Sequence, residues 1–267
     1  MEKTIINNPG INYLKVIDFF GIKKGDTLFI SSDVKQLFFN EAISTGEVPD
    51  ANAFIDALIE KVGPEGTLLF PTYNWDFCKG VTFDWKKTKA KTGSLGNVCL
   101  KRTDFKRTKH PIYSCVVWGK DKDYLCGNDY VSSFGKDSIF AYLDEKHARQ
   151  VVIDVSLTHC FTYIHYIEEL AAPIKYRYLK NFTANYIDSE GVESSKTYSM
   201  LVRDLDLDVQ TVFEPIEEDF VSSGLEHAYE INSISYYIID DLHSLVKPVL
   251  EDINNNRSRK ICKYKGQ

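Results

Sequence analysis

The chain has 267 residues, 43% of them apolar and 26% charged, and a formal net charge of −6. Such a length buries a substantial core, and the acidic balance excludes general nucleic-acid binding, which calls for a basic face. The average hides an asymmetry. Between Lys79 and Lys109 ten Lys and Arg residues face only Asp84 and Asp104, an excess of eight positive charges that leaves the rest of the chain at −14.

The six cysteines, at 78, 99, 115, 126, 160 and 262, form no CxxC pair and no finger-like spacing. With no signal-peptide pattern at the amino terminus, they read as reduced thiols of a cytoplasmic protein. The apolar runs are too short to cross a bilayer, so no membrane partner is expected.

Residues 12–20 have a helical spacing that stops before Gly21, and residues 27–30 form a short apolar strand. Ser31, Ser32 and Asp33 follow at its end, able to cap a helix or meet a ligand. Ala51–Val62 is the clearest amphipathic helix of the first half. Residues 67–70 are a second strand, stopped by Pro71, with Thr72, Tyr73, Asn74 and Trp75 beyond it. This alternation is the rhythm of an α/β fold with a largely parallel central sheet and helical crossovers.

Residues 76–110 form a long lysine-rich connection, interrupted by a glycine turn at 93–97 that opens a helix through Leu100. Residues 115–118 are a third strand, 138–143 a short helix, and 151–155 a fourth strand. Beyond Pro173 the rhythm changes. Residues 182–187 and 195–202 read as a hairpin, 213–223 as a helix, 228–231 and 235–239 as strands, and 241–254 as a helix. The reading is a single domain over 1–267 with a smaller antiparallel sheet inserted at about 181–239. A polar, basic tail at 255–267 is expected to fray or lie on the surface.

The chemistry concentrates between Asp154 and Glu169, which hold two imidazoles, a thiol, three aliphatic hydroxyls and three carboxylates. On a helix His165 meets Glu168 or Glu169. A carboxylate partner raises an imidazole pKa above the ordinary value near 6.5 and fixes the tautomer, so His165 suits a general base that takes the proton an amine loses on attacking a carbonyl. Cys160 is either a small buried hydrophobe or a nucleophile. The His159–His165 spacing matches no metalloprotease pattern, and no metal is expected.

The basic window with its glycine turn suits a ligand carrying several phosphates, with Arg102 and Arg107 as the planar donors; the alternative is a solvated loop. It contains neither GxxxxGK[ST] nor GxGxxG. His110, restricted by Pro111, either contacts a ligand or buttresses the loop.

A series of blocks in order resembles the aminoglycoside 3-N-acetyltransferase (antibiotic N-acetyltransferase) family: residues 25–32 with the serine pair, 63–72, the turn at 93–97, Arg102, 107–114, 133–138, and Thr162-x-x-His165-x-x-Glu168. The resemblance covers roughly residues 20–180. It implies an antibiotic N-acetyltransferase-like fold and direct transfer of an acyl group from a CoA thioester to an amino sugar. Carried onto this chain, it makes His165 the base and Glu168 its support. Ser31, Ser32, Arg102, Arg107, Ser114 and Thr162 become cofactor contacts. Asp33, Tyr73, Trp75 and His110 fall on the acceptor side, with His110 open between the pantetheine end and the acceptor.

Ile30 stands where the resistance enzymes commonly have histidine, Thr108 replaces a serine, and residues 36–50 depart from the pattern. These differences favour the branch that acylates a dTDP-linked 3-amino-3,6-dideoxyhexose for O-antigen sugars, from 3-hydroxybutanoyl-CoA or acetyl-CoA. The rival expectations are an aminoglycoside acetyltransferase and an inactive CoA-binding protein. A monomer or homodimer is expected.

Overall fold

The computed structural model describes residues 3–267. Its strands run in chain order as β1 (Thr4–Ile6), β2 (Thr27–Ser32), β3 (Thr67–Pro71), β4 (Phe83–Asp84), β5 (Lys106–Arg107), β6 (Cys115–Gly119) and β7 (Arg149–Ile153). They continue as β8 (Arg177–Ile187), β9 (Glu193–Arg203), β10 (Gln210–Thr211), β11 (Glu226–Ile231), β12 (Ile234–Ile239) and β13 (Cys262–Lys263). The α-helices are α1 (Lys35–Thr45), α2 (Ala51–Val62), α3 (Ser94–Cys99), α4 (Lys122–Gly127) and α5 (Ile139–Glu145). After them come α6 (Leu157–Cys160), α7 (Ile164–Leu170), α8 (Glu214–Ser222) and α9 (Val246–Asn256).

Among the described residues the main sheet has eight strands in the order β1-β11-β12-β7-β2-β3-β6-β5. Strands β7, β2 and β3 form its parallel centre, and antiparallel pairs flank them. Alternating side chains go to opposite faces, as a strand's period of two requires. Leu28, Ile30, Leu68, Phe70, Val151 and Ile153 pack with Phe54, Ile55 and Leu58 of α2. Phe29, Leu69 and Val152 pack on the other side with Phe140, Leu143, Ile164, Ile167 and Val249. Each such aliphatic or aromatic side chain stabilises the fold by about 1.5–3 kcal/mol. Helix α2 starts where Asp50 accepts a hydrogen bond from the Asn52 N–H at 2.8 Å.

Four features differ from the sequence reading. Strand β6 runs antiparallel to β3, because Thr72 N donates to Ser114 O and Asn74 N to Ile112 O, extending a hairpin-like ladder. Strands β11 and β12 do not belong to an insertion. The left-handed pair Asn232-Ser233 turns one onto the other, and β12 zips onto β7 in the main sheet. The small antiparallel sheet is therefore the hairpin β8–β9, longer than expected at eleven residues a strand, with β4 along its edge. The sequence reading also passed over α1, where only Leu37 is buried.

Of the two expectations for the tail, the structure shows the second: it lies along the surface and is anchored there. Strand β13 pairs with β10, the Asp252 carboxylate accepts from Lys260 N, and Ile261 and Cys262 are 1% and 2% exposed. Replacing Ile261 by alanine is therefore expected to cost about 2–5 kcal/mol in urea unfolding. A loss below about 0.5 kcal/mol, the scale of an ordinary surface change, would contradict that anchoring.

Candidate active site

Because β2, β3 and β7 are parallel, their carboxyl ends converge, which is where open α/β sheets place ligands. A cleft of about 480 Å³ opens there. Strand β2 supplies Ser31 and Ser32, with Asp33 following. The segment after β3 supplies Tyr73 and Trp75, and the segment after β7 supplies His159, Cys160 and Thr162. Gln150 fixes Ser31 by donating from Nε2 to its Oγ at 3.1 Å.

The glycine turn closes the opposite wall. A Cβ at Gly96 would lie 2.6 Å from Pro71 O, so only glycine lets α3 approach the end of β3 this closely, and Gly93 has φ +62°. Lys35 and Lys91 stand at the rim, paired with Asp33 and Asp76 respectively.

Phe161, with ψ 61°, breaks the chain between α6 and α7. Thr162 sits in that break and faces the cleft, while His165 lies in the first turn of α7. The geometry selects Glu168 over Glu169 as the imidazole's partner. His165 Nδ1 lies 2.7 Å from Glu168 Oε2, whereas Glu169 accepts from Ser132 Oγ. Arg177, on β8, brings Nε to 2.8 Å from the same Glu168 oxygen. Burial opposes ionisation of Glu168, but Arg177 and His165 outweigh it and hold the carboxyl below the ordinary carboxylate range.

The expected rise in the His165 pKa is corrected. Burial and the charge of Arg177 push it below the ordinary histidine value, and Glu168 offsets them only in part. The ring is thus neutral at physiological pH. A carboxylate on Nδ1 places the proton there and leaves Nε2 as the basic nitrogen, which has no hydrogen-bond partner among the described residues.

The imidazole side chain is one-fifth exposed, and it does not itself line the cleft. It connects to the cleft through aromatic rings. Trp75 donates from Nε1 to Tyr113 OH at 3.2 Å, Tyr113 packs on Phe134 at 4.8 Å, and Phe134 meets His165 edge-on at 5.2 Å.

Of the expected ligand contacts, Ser31, Ser32, Asp33, Tyr73, Trp75 and Thr162 line the cleft together; Arg102, Arg107, Ser114 and His110 do not. Arg102 is bound on the outside of α2 and α3 by Asp56 and Asp104, which raise its pKa through hydrogen bonds to Asp104 first. Arg107 is 2% exposed. Its guanidinium donates to Thr88 O, Thr72 O and Ser114 Oγ, and burial lowers its pKa to about 10. Ser114 in turn donates to Thr72 O.

Arg107 and Ser114 therefore lock the turn that carries Tyr73 and Trp75, and they act on the cleft from behind. His110 is wholly buried. Its Nδ1 accepts from the Tyr113 N–H at 3.1 Å, it stacks on Tyr130, and burial lowers its pKa to about 3. The buttress reading of His110 is the one the geometry supports.

The basic window does not converge on one point either. Lys79, Lys87 and Lys106 pair with acids of their own neighbourhood, and Lys91 is the window's lysine on the cleft. Lys35 and His159 reach the cleft without having been named as ligand contacts; Lys35 stands two residues beyond the Ser31–Asp33 cluster, and His159 lies inside the Asp154–Glu169 stretch. Burial, with Glu217 and Glu226 behind it, raises the Cys160 thiol well above its ordinary pKa, which argues against a thiolate nucleophile. Among the described residues no group of three or more His, Cys, Asp or Glu is placed to hold a metal, and no helix is long and apolar enough to cross a membrane.

Arg107→Ala strips donors from the carbonyls of Thr72 and Thr88 at once. The expected loss is roughly 3 kcal/mol or more in chemical unfolding, with little recovery in Arg107→Lys, whose single ammonium cannot reproduce the planar fork. Wild-type stability in the alanine variant would contradict a scaffolding role.

Comparison with known proteins follows the same lines. The model of the family described as Aminoglycoside 3-N-acetyltransferase matches residues 42–247. A curated relative, the SPbeta prophage-derived aminoglycoside N(3')-acetyltransferase-like protein YokD of Bacillus subtilis (strain 168), is 25% identical over 172 residues. That match takes in 55% of this chain and spans 60% of the relative's length.

The crystal structure of YokD from Bacillus subtilis superposes with a TM-score of 0.71 at 20% identity, covering 96% of this chain and 97% of that one. A structure titled AAC-IIIb binary with CoASH gives 0.72 at 18%, covering 92% and 97%. Sisomicin-bound AAC-VIa gives 0.72 at 17%, covering 91% and 97%. At such identities the likeness is one of fold: a mixed α/β sheet flanked by helices, with a smaller antiparallel sheet. The family match, spanning most of the chain, goes further, and the chain belongs to the aminoglycoside 3-N-acetyltransferase family.

Proposed function

We propose that the chain moves an acyl group from a CoA thioester to the amine of an amino sugar, with His165 as the general base. The observation that carries this reading is the His165–Glu168–Arg177 assembly, one helical turn from the Thr162 wall of the cleft. A neutral imidazole with a free Nε2 can accept, directly or through one water, the proton that the amine nitrogen loses as it bonds to the carbonyl carbon. The same proton then leaves with the CoA sulfur as its thiol, so the overall products are an amide and CoA.

The cleft suits the co-substrate. Lys35 and Lys91 offer positive charge to phosphates at the rim, while Tyr73 and Trp75 offer an apolar floor to the pantetheine arm. A fold relative solved with CoASH supports the same assignment.

For the acceptor, the names of the similar proteins support an aminoglycoside over the dTDP-linked sugar expected from the sequence, and none supports a 3-hydroxybutanoyl donor. One observation favours the dTDP-linked acceptor as a second reading. Arg177 and Arg203 stand directly opposite each other on the hairpin, and both charges bear on His165. Arg203 has no carboxylate partner among the described salt bridges. Glu168 already compensates Arg177, which leaves Arg203 as the charge that an anionic group would meet.

The test is a product screen by mass spectrometry, pairing aminoglycosides and dTDP-linked amino sugars with acetyl-CoA and 3-hydroxybutanoyl-CoA. Acylated aminoglycoside with acetyl-CoA is the expected product; acylated dTDP-sugar alone would establish the second reading. In the productive pair, His165→Ala should lower kcat by about 10²–10⁴-fold, the usual span for a general base, with CoA affinity nearly unchanged. Turnover within about twofold of wild type would remove His165 from the chemistry, since such a change lies far below that span.

A further inference from the structure

Four buried tyrosine hydroxyls lack a hydrogen-bond partner among the described residues: Tyr73, Tyr130, Tyr176 and Tyr236. A buried hydroxyl without a partner costs stability, so each one calls for a reason. Tyr73 is the one of the four that lines the cleft. It is 4% exposed with its hydroxyl oxygen closed to solvent, and the Thr162 side chain, itself on the cleft wall, stands beside that oxygen without closing a hydrogen bond, so an acyl oxygen reaches it once Thr162 turns aside.

Everything around that hydroxyl is held. The Tyr73 N–H donates to Thr92 Oγ1 at 3.1 Å, and its carbonyl accepts from Lys91 N at 2.8 Å. Its ring is clasped edge-on by Tyr113 at 4.8 Å and flanked by Trp75 and Phe140. The backbone just before it is fixed by Arg107 and Ser114. Such rigidity costs nothing further at the moment of reaction, which is what makes a fixed donor effective against developing charge.

Resting on the reading of the cleft as a CoA-thioester site, we propose that the Tyr73 hydroxyl is the oxyanion donor of the transfer reaction. As the amine's lone pair bonds to the carbonyl carbon, the C=O π pair moves onto oxygen, and Tyr73 O–H donates a hydrogen bond to that oxygen while keeping its proton. The amine proton passes to His165 Nε2. When the pair returns to re-form C=O, the C–S bond breaks, and the sulfur leaves with the proton from the imidazolium. Burial, aided by Cys115 and Tyr113, raises the phenol's pKa well above its ordinary value, so it stays a donor throughout the working pH range. Tyr73 thereby acquires a role distinct from the acceptor contact its sequence position implies.

The experiment is Tyr73→Phe, compared with wild type in three readouts. Since the hydroxyl has no protein partner to lose, Tm should stay level or rise, and CoA affinity should stay within about twofold. The kcat should fall by about 10²–10³-fold with KM little changed, the range for loss of one oxyanion donor. The third readout needs no turnover. Infrared difference spectra of bound, isotope-labelled acetyl-CoA should show the thioester carbonyl at lower frequency in wild type than in the variant. Coincident carbonyl bands, or a kcat within about threefold of wild type, overturn the assignment. If wild type itself neither binds acetyl-CoA nor turns over any amine, the reading of the cleft falls and the assignment falls with it. If wild type turns over and Tyr73→Phe keeps pace, the assignment alone falls.

Discussion

The site depends on one buried carboxylate. Glu168 is 2% exposed, yet burial, which favours its neutral form, loses to the combined pull of Arg177 and His165. Held as an anion, it makes two oppositely directed demands on its neighbours. It draws the Nδ1 proton of the imidazole toward itself and so turns the basic nitrogen outward. It also ties α7 to the hairpin through Arg177, across the connection that carries the chain from helix to small sheet. Removing Arg177, its cationic partner, would leave an uncompensated charge in the interior, a defect on the order of 3–5 kcal/mol. The assembly therefore couples fold to chemistry. Arg177 also suppresses protonation of His165 by its own charge, which a simple His–carboxylate pair would not do.

Around that pair the fold supplies walls. Three parallel strands bring Ser31–Ser32, Tyr73–Trp75 and Thr162 to one end of the sheet, and antiparallel neighbours seal its sides. Polar residues that make no contact with the cleft do much of the holding. Arg107, Ser114 and Thr108 satisfy carbonyls and N–H groups around Thr72 and Cys115, the Thr108 hydroxyl accepting from Cys115 N at 2.9 Å. His110 fills a buried slot between Tyr130 and Tyr198. A cluster of conspicuous side chains in the sequence thus divides into a few that face the cleft and several that fix its backbone.

How much of this was legible follows from what a sequence displays. The i,i+3 spacing of His165 and Glu168 and the polar residues just past apolar strands are local; the first gave the contact between those two side chains, the second the residues that line the cleft. Ala51–Val62 was readable to the residue, because a capping aspartate, an apolar stripe and a terminal glycine agree. Residue type does not display burial. Arg107 and His110 looked like ligand contacts because arginine and histidine usually are polar surface groups, yet β5 turns one inward and Pro111 pins the other in the core. Arg177 could not be paired with Glu168, since their meeting depends on how the hairpin folds back over α7. For the same reason the sign of the His165 shift was misread: the carboxylate was visible, while the burial and the second charge were tertiary. Strand direction was equally hidden, because the alternation in β6, β11 and β12 is the same whichever way they run.

The central claim is that His165 is neutral, protonated on Nδ1 toward Glu168, and basic at Nε2. Imidazole nitrogen NMR across a pH titration of the intact protein tests it most directly. The account predicts the Nδ1–H tautomer at neutral pH and a midpoint below the ordinary histidine value of about 6.5. The proton on Nε2, or a midpoint above that value, would contradict it.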